Sequence, residues 1–174
     1  MPVRPFSRCT LSIRLSSVSL SGSLTAGLLL LAGLAQQAQA ADTFFLGTWN
    51  ISKAVVAPWA DPAQKPDDKE MKSLVGKTLT FKAGSIAGPG ITACKGPAYE
   101  VSVGGADMIF QGALTQKQDG SAQDPAKPAA DLGFQGSNIK TLQTGCENEL
   151  DYSFIDDKTA EFGLNDYVYT ITRQ

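Results

Sequence analysis

Hydrophobic and polar positions alternate along this chain in short bursts, with a period of two. The clearest burst is Lys77-Thr78-Leu79-Thr80-Phe81-Lys82, where Leu79 and Phe81 face one way and Thr78, Thr80 and Lys82 the other. Phe44 to Ile51 places aromatic and β-branched residues at alternate positions and predicts the first strand. Further strands are predicted over 91–94, 99–103, 108–111, 139–142, 152–155, 159–164 and 167–172. Gly84 to Gly90 contains Gly-Pro-Gly and reads as a turn, and Gly104-Gly105 as a hairpin between 99–103 and 108–111. Asp156-Asp157-Lys158 and Asn165-Asp166 separate the last three strands as tight turns of a meander. One short helix is predicted from Asp67 to Leu74, capped by Asp67 or Asp68 and stopped by Gly76. Residues 57–69 read as a loop, and 116–130 as the longest loop. The pattern predicts an all-β chain: a single antiparallel barrel of eight or nine strands, which removes exposed edges.

The first forty residues break this pattern. Arg4, Arg8 and Arg14 precede an apolar run, Leu24 to Leu34, and Ala38-Gln39-Ala40 follows as a small-residue cleavage signal. That order reads as a secretory signal peptide over 1–40, leaving a mature barrel domain over 41–174. The run is shorter than the about 20 residues a membrane span needs. The expected location is the periplasm, with release from the cell as the alternative. Cys9 precedes the apolar run and cannot be a lipidated cysteine.

Charge and composition narrow the chemistry. All seventeen acidic residues and twelve of the fifteen basic ones lie beyond residue 40, giving that part a net charge of −5. Such a balance argues against nucleic acid and anionic membranes, which are held by clustered Lys and Arg. The chain has no histidine, which removes Ser-His-Asp and Cys-His catalysis and histidine-based zinc or haem sites. No metal or cofactor is expected. Cys94 and Cys146 are an even pair beyond the leader and predict one disulfide.

Two ends of the chain carry a resemblance. Leu46-Gly47-Thr48-Trp49 resembles the Gly-x-Trp signature that opens the first strand of lipocalin and calycin barrels. Tyr169-Thr170-Ile171-Thr172-Arg173 is similar to the final strand of such barrels, which ends in an arginine. The resemblance implies a small exported lipocalin-like barrel in which Arg173 lies over the Trp49 ring and closes the barrel base.

Several residues are candidates for binding, each with a plainer role open beside it. Trp59, in a proline-flanked loop, is an anchor at a barrel mouth or a plug of one barrel end. Phe81, Tyr99, Phe110, Tyr152 and Tyr169 line a ligand cavity or fill a solid core. Phe134, Phe154 and Phe162 belong to the same set. Lys95, beside Cys94 on a stapled turn, presents a rigid side chain to a protein or is an ordinary surface lysine. Glu147, Glu149 and Asp151 share one face if extended, as paired carboxylates, a calcium site or a solvated edge. Asp67, Asp68 and Glu70 fit helix capping and dipole complementarity. The leading expectation is a non-enzymatic binding protein for a small apolar or amphipathic ligand. The alternatives are an inhibitor of a basic envelope protein such as a lysozyme, and an envelope accessory protein with no ligand.

Overall fold

The computed structural model describes residues 43–117 and 119–174. The leader assigned to residues 1–40 lies outside the described residues. The described chain forms nine strands: β1 (Gly47–Val56), β2 (Thr78–Lys82), β3 (Ser85–Ala87), β4 (Cys94–Lys95), β5 (Glu100–Gly104), β6 (Ile139–Gln143), β7 (Asp151–Asp156), β8 (Thr159–Leu164) and β9 (Tyr167–Arg173). Their order is β4-β3-β2-β1-β9-β8-β7-β6-β5, and every pair is antiparallel. The nine antiparallel strands curl into a half-barrel, where the alternating pattern predicts a barrel of eight or nine strands.

Counting directions along that order puts β4 and β5 parallel to each other, although they are consecutive in the chain. The two are one run of chain that leaves β3 after two residues, passes Gly96 at φ +65° and joins β6. Counted as one, they make an eight-stranded arrangement with a single seam. Ala98 N–H donates to Thr144 O at 2.9 Å beside that seam. The Cys94–Cys146 disulfide ties β4 to the β6–β7 connection across a separation of 52 residues.

The inner face is filled with rings. Phe81 lies 4.9 Å from Tyr152, Tyr152 5.2 Å from Phe162, and Phe162 stacks on Tyr169 at 5.0 Å. Trp49, Ile51, Leu79, Leu142 and Ile171 complete the fully buried interior. Each such side chain contributes roughly 1.5–3 kcal/mol by leaving water. Phe81, Tyr152 and Tyr169 therefore serve as a packed core, where a hollow cavity was the other expectation.

The outer face of β6 to β9 is covered too, by chain that the sequence pattern assigns differently. Residues 108–111, predicted as a strand after a hairpin, instead cap and open a 3-10 segment, Ile109–Thr115. It is kinked by left-handed backbone at Phe110, Gln111 and Gly112. The predicted loop 116–130 contains the start of a second helix, α2 (Ala126–Asp131), so the expectation of one short helix is corrected to two. Buried Ile109, Leu114, Ala129 and Phe134 form an apolar cluster with Ile139 of β6. The strand expected at 91–94 is displaced: Gly90–Thr92 is a 3-10 turn, and the hairpin partner of β2 is β3, inside the predicted Gly84–Gly90 turn. Helix α1 (Asp68–Leu74) forms as predicted, with the Asp67 carboxylate accepting from Lys69 N–H at 3.0 Å.

Candidate functional site

Trp49 and Arg173 are cross-strand partners, and the guanidinium carbon lies 4.4 Å from the Trp49 ring centre. Arg173 Nη1 donates to Leu46 O at 2.9 Å, and Nη2 donates to Phe44 O. Trp49 Nε1 donates to Phe45 O at 2.9 Å. All side-chain nitrogens of the pair thus donate to backbone carbonyls, which ties the end of β9 to the segment before β1.

A separate cleft of about 410 Å³ is walled on one side by Trp59, Phe110 and Gln111. Its other wall is Asn148 to Asp151 and Gly163 to Asn165. Trp59 and Phe110 meet at 5.3 Å, and the Trp59 indole N–H donates to Asn165 O at 2.8 Å. Gly163 lets Trp59 lie against the sheet, since a Cβ there would be 2.9 Å from the indole. Gln111 reaches across and donates from Nε2 to Glu149 O at 2.8 Å. Burial pushes the Asp151 carboxyl above its ordinary value; a hydrogen bond from Gln111 opposes this and the Glu149 charge adds to it.

Among the described residues, four non-glycine residues have positive φ: Phe110 (49°), Gln111 (56°), Glu149 (54°) and Asn165 (50°). All four line this cleft. Left-handed backbone is unfavourable for residues with a Cβ, and its clustering at one place marks a shape held by the surrounding fold.

Of the sequence candidates, Trp59 and Phe110 come together here, with Phe110 on the outer side rather than in the barrel interior. Tyr99 is half-buried elsewhere, 4.6 Å from Phe45, with its hydroxyl donating to Lys82 O at 3.0 Å. Lys95 is exposed on a separate groove that runs along the disulfide past Ile91 and Glu147. The acidic row is broken: Glu149 turns left-handed, so Glu149 and Asp151 face the cleft while Glu147 faces the disulfide groove. Asp68 accepts from the Tyr167 hydroxyl at 2.6 Å and Glu70 from Asn165 Nδ2 at 2.5 Å, so these carboxylates hold α1 on the β8–β9 turn. Among the described residues no group of three His, Cys, Asp or Glu side chains is arranged to hold a metal ion. Gln111 and Gly163 were not singled out by sequence, and Asn165 only as a turn residue. A glycine inside a strand pattern and an Asn in a turn are the signals that point to the last two.

No protein-family model matches the chain, and no curated protein or solved structure matches it either.

Proposed function

We propose that this chain is an exported, non-enzymatic binding protein of lipocalin-like architecture, and that its ligand sits in the Trp59–Phe110 cleft rather than inside the barrel. The observation that carries this reading is the convergence of the four left-handed residues on one concave surface. Backbone strain of order 1–3 kcal/mol per residue persists where a fold holds a shape for use. The ring-filled interior leaves the outer cleft as the better seat for a ligand. Its walls combine two aromatic rings with amide and carboxylate groups, which suits an amphipathic molecule. The basic, apolar and small-residue order of the first forty residues supports export to the periplasm.

Native mass spectrometry of the protein recovered from its own periplasm tests both parts. The expected result is a chain that begins near Ala41 and carries an additional mass, lost in the Trp59→Ala variant. A bare chain, or an adduct indifferent to Trp59, overturns the cleft as the binding site. A second reading, an inhibitor of a basic envelope enzyme, is favoured by Lys95 standing exposed beside the disulfide with Ile91 (47% exposed) on the same groove. Capture of such an enzyme by the wild type and not by Lys95→Ala supports it.

A further inference from the structure

We infer that the cleft selects a cationic head group, an ammonium or guanidinium on an apolar shaft; this rests on the cleft being the binding site. The Trp59 indole is fixed from two sides, by its hydrogen bond to Asn165 O and by its seat over Gly163. An aromatic face held in place before binding attracts a cation at little ordering cost. Phe110, at 5.3 Å from Trp59, extends the apolar wall on which a shaft can lie. Asp151 and Glu149 stand on the same cleft, whose lining contains no Lys or Arg. The ion pairs made among the described residues, Lys72–Asp68 and Lys127–Asp131, lie on the two helices and do not neutralise these carboxylates. Asp151 is half-buried, so its charge is poorly solvated while the cleft is empty. A bound cation restores what burial removes, whereas an anion meets two like charges and a neutral head leaves Asp151 as it was. The same chemistry arises from a free amine or from a Lys or Arg side chain of a partner protein.

The test is a fluorescence titration of the protein with hexylamine, hexanol and hexanoate, which share one shaft and differ in head charge. Trp59 reports binding, because Trp49 is fully buried; Trp59→Phe abolishes the signal. The expected order is hexylamine tighter than hexanol by about tenfold, and no response to hexanoate. Asp151→Asn brings the hexylamine-to-hexanol affinity ratio close to one, and Glu149→Gln lowers that ratio by a smaller factor. Equal affinity for hexylamine and hexanol overturns the cationic selectivity while the cleft remains a binding site. No Trp59 response to any of the three overturns both. A capped Leu-Lys-Leu peptide binding tighter than hexylamine assigns the cation to a partner's side chain. Weaker peptide binding assigns it to a free amine.

Discussion

Gly47 and Arg173 compete for one volume: a Cβ on Gly47, whose φ is +127°, would lie 3.0 Å from Arg173 Nη1. The glycine of the Gly-x-Trp segment thus makes room for the arginine that covers the tryptophan. Trp49→Ala leaves a cavity in the fully buried core and is expected to cost about 3–5 kcal/mol. Arg173→Ala leaves the Leu46 and Phe44 carbonyls without their donor and is expected to cost more than about 1.5 kcal/mol. Urea unfolding of both variants checks this, and unchanged midpoints for the two remove the closure role. Gly47→Ala is expected to fall between them and wild type.

Glu161 gives the fold a pH dependence. It lies on the outer face in a row of polar cross-strand partners, Ser102, Thr141, Ser153, Glu161, Thr170 and Lys53, that crosses six strands. Only 2% of it is exposed, Thr170 donates to Oε1 at 2.8 Å, and Oε2 has no partner. Burial pushes its carboxyl up from 4.5 to about 7, against the Thr170 hydrogen bond and the Lys53 charge. Between those values the folded state keeps a proton that the unfolded chain has released. Stability therefore declines as pH rises from about 4.5 to about 7 and is level above, by at most roughly 3 kcal/mol. Denaturant midpoints measured from pH 4 to pH 8 are expected to show this fall, and Glu161→Gln to flatten it. An equal fall in the variant assigns the dependence to other groups.

The hydroxyls of Tyr152 and Tyr169 are buried in the ring-filled interior without a hydrogen-bond partner. Removing an unpaired buried hydroxyl costs nothing and can stabilise. Tyr152→Phe and Tyr169→Phe are each expected to leave stability unchanged or raise it by up to about 1 kcal/mol. A loss above about 1 kcal/mol in thermal unfolding shows instead that ordered water satisfies these groups.

Gly163 and Trp59 are expected to be energetically coupled. Gly163→Ala puts a methyl 2.9 Å from the indole and 3.3 Å from Phe110, and is expected to cost about 1–3 kcal/mol. In a Trp59→Ala background most of that cost disappears. Near-UV circular dichroism of Gly163→Ala is expected to lose the Trp59 contribution. Additive stability effects contradict the packing described for the cleft.

The sheet was legible because its signals are local. Alternation gave β2, β8 and β9 to within a residue, and Asp67 and Gly76 bracketed α1. The disulfide followed from an even cysteine count beyond residue 40, in a sequence whose first forty residues read as a leader. The cleft was not legible, because its walls are set by tertiary packing. Met108 to Gln111 reads as a strand, yet Phe110 and Gln111 are left-handed where Ile109 and Leu114 pack on Ile139. Glu149 likewise breaks an acidic row that sequence leaves extended. Trp59 showed its residue type but not its partner, since Gly163 lies over a hundred positions away and binds it by lacking a side chain.

The seam between β4 and β5 has a topological consequence. β1 and β9 are neighbours, with Trp49 opposite Arg173 and Gln174 N–H donating to Thr48 O at 3.0 Å. In terms of pairing the strands form one unbroken series from β4 to β5, and residues 96–99 join its two edges along the chain. The chain can therefore be re-ordered without breaking a strand pair: a short linker from the end of β9 to the start of β1, and new ends opened at the seam. In that permuted chain the Cys94–Cys146 bond no longer closes an internal loop around the seam. It becomes the clasp that fastens one new chain end to the β6–β7 connection.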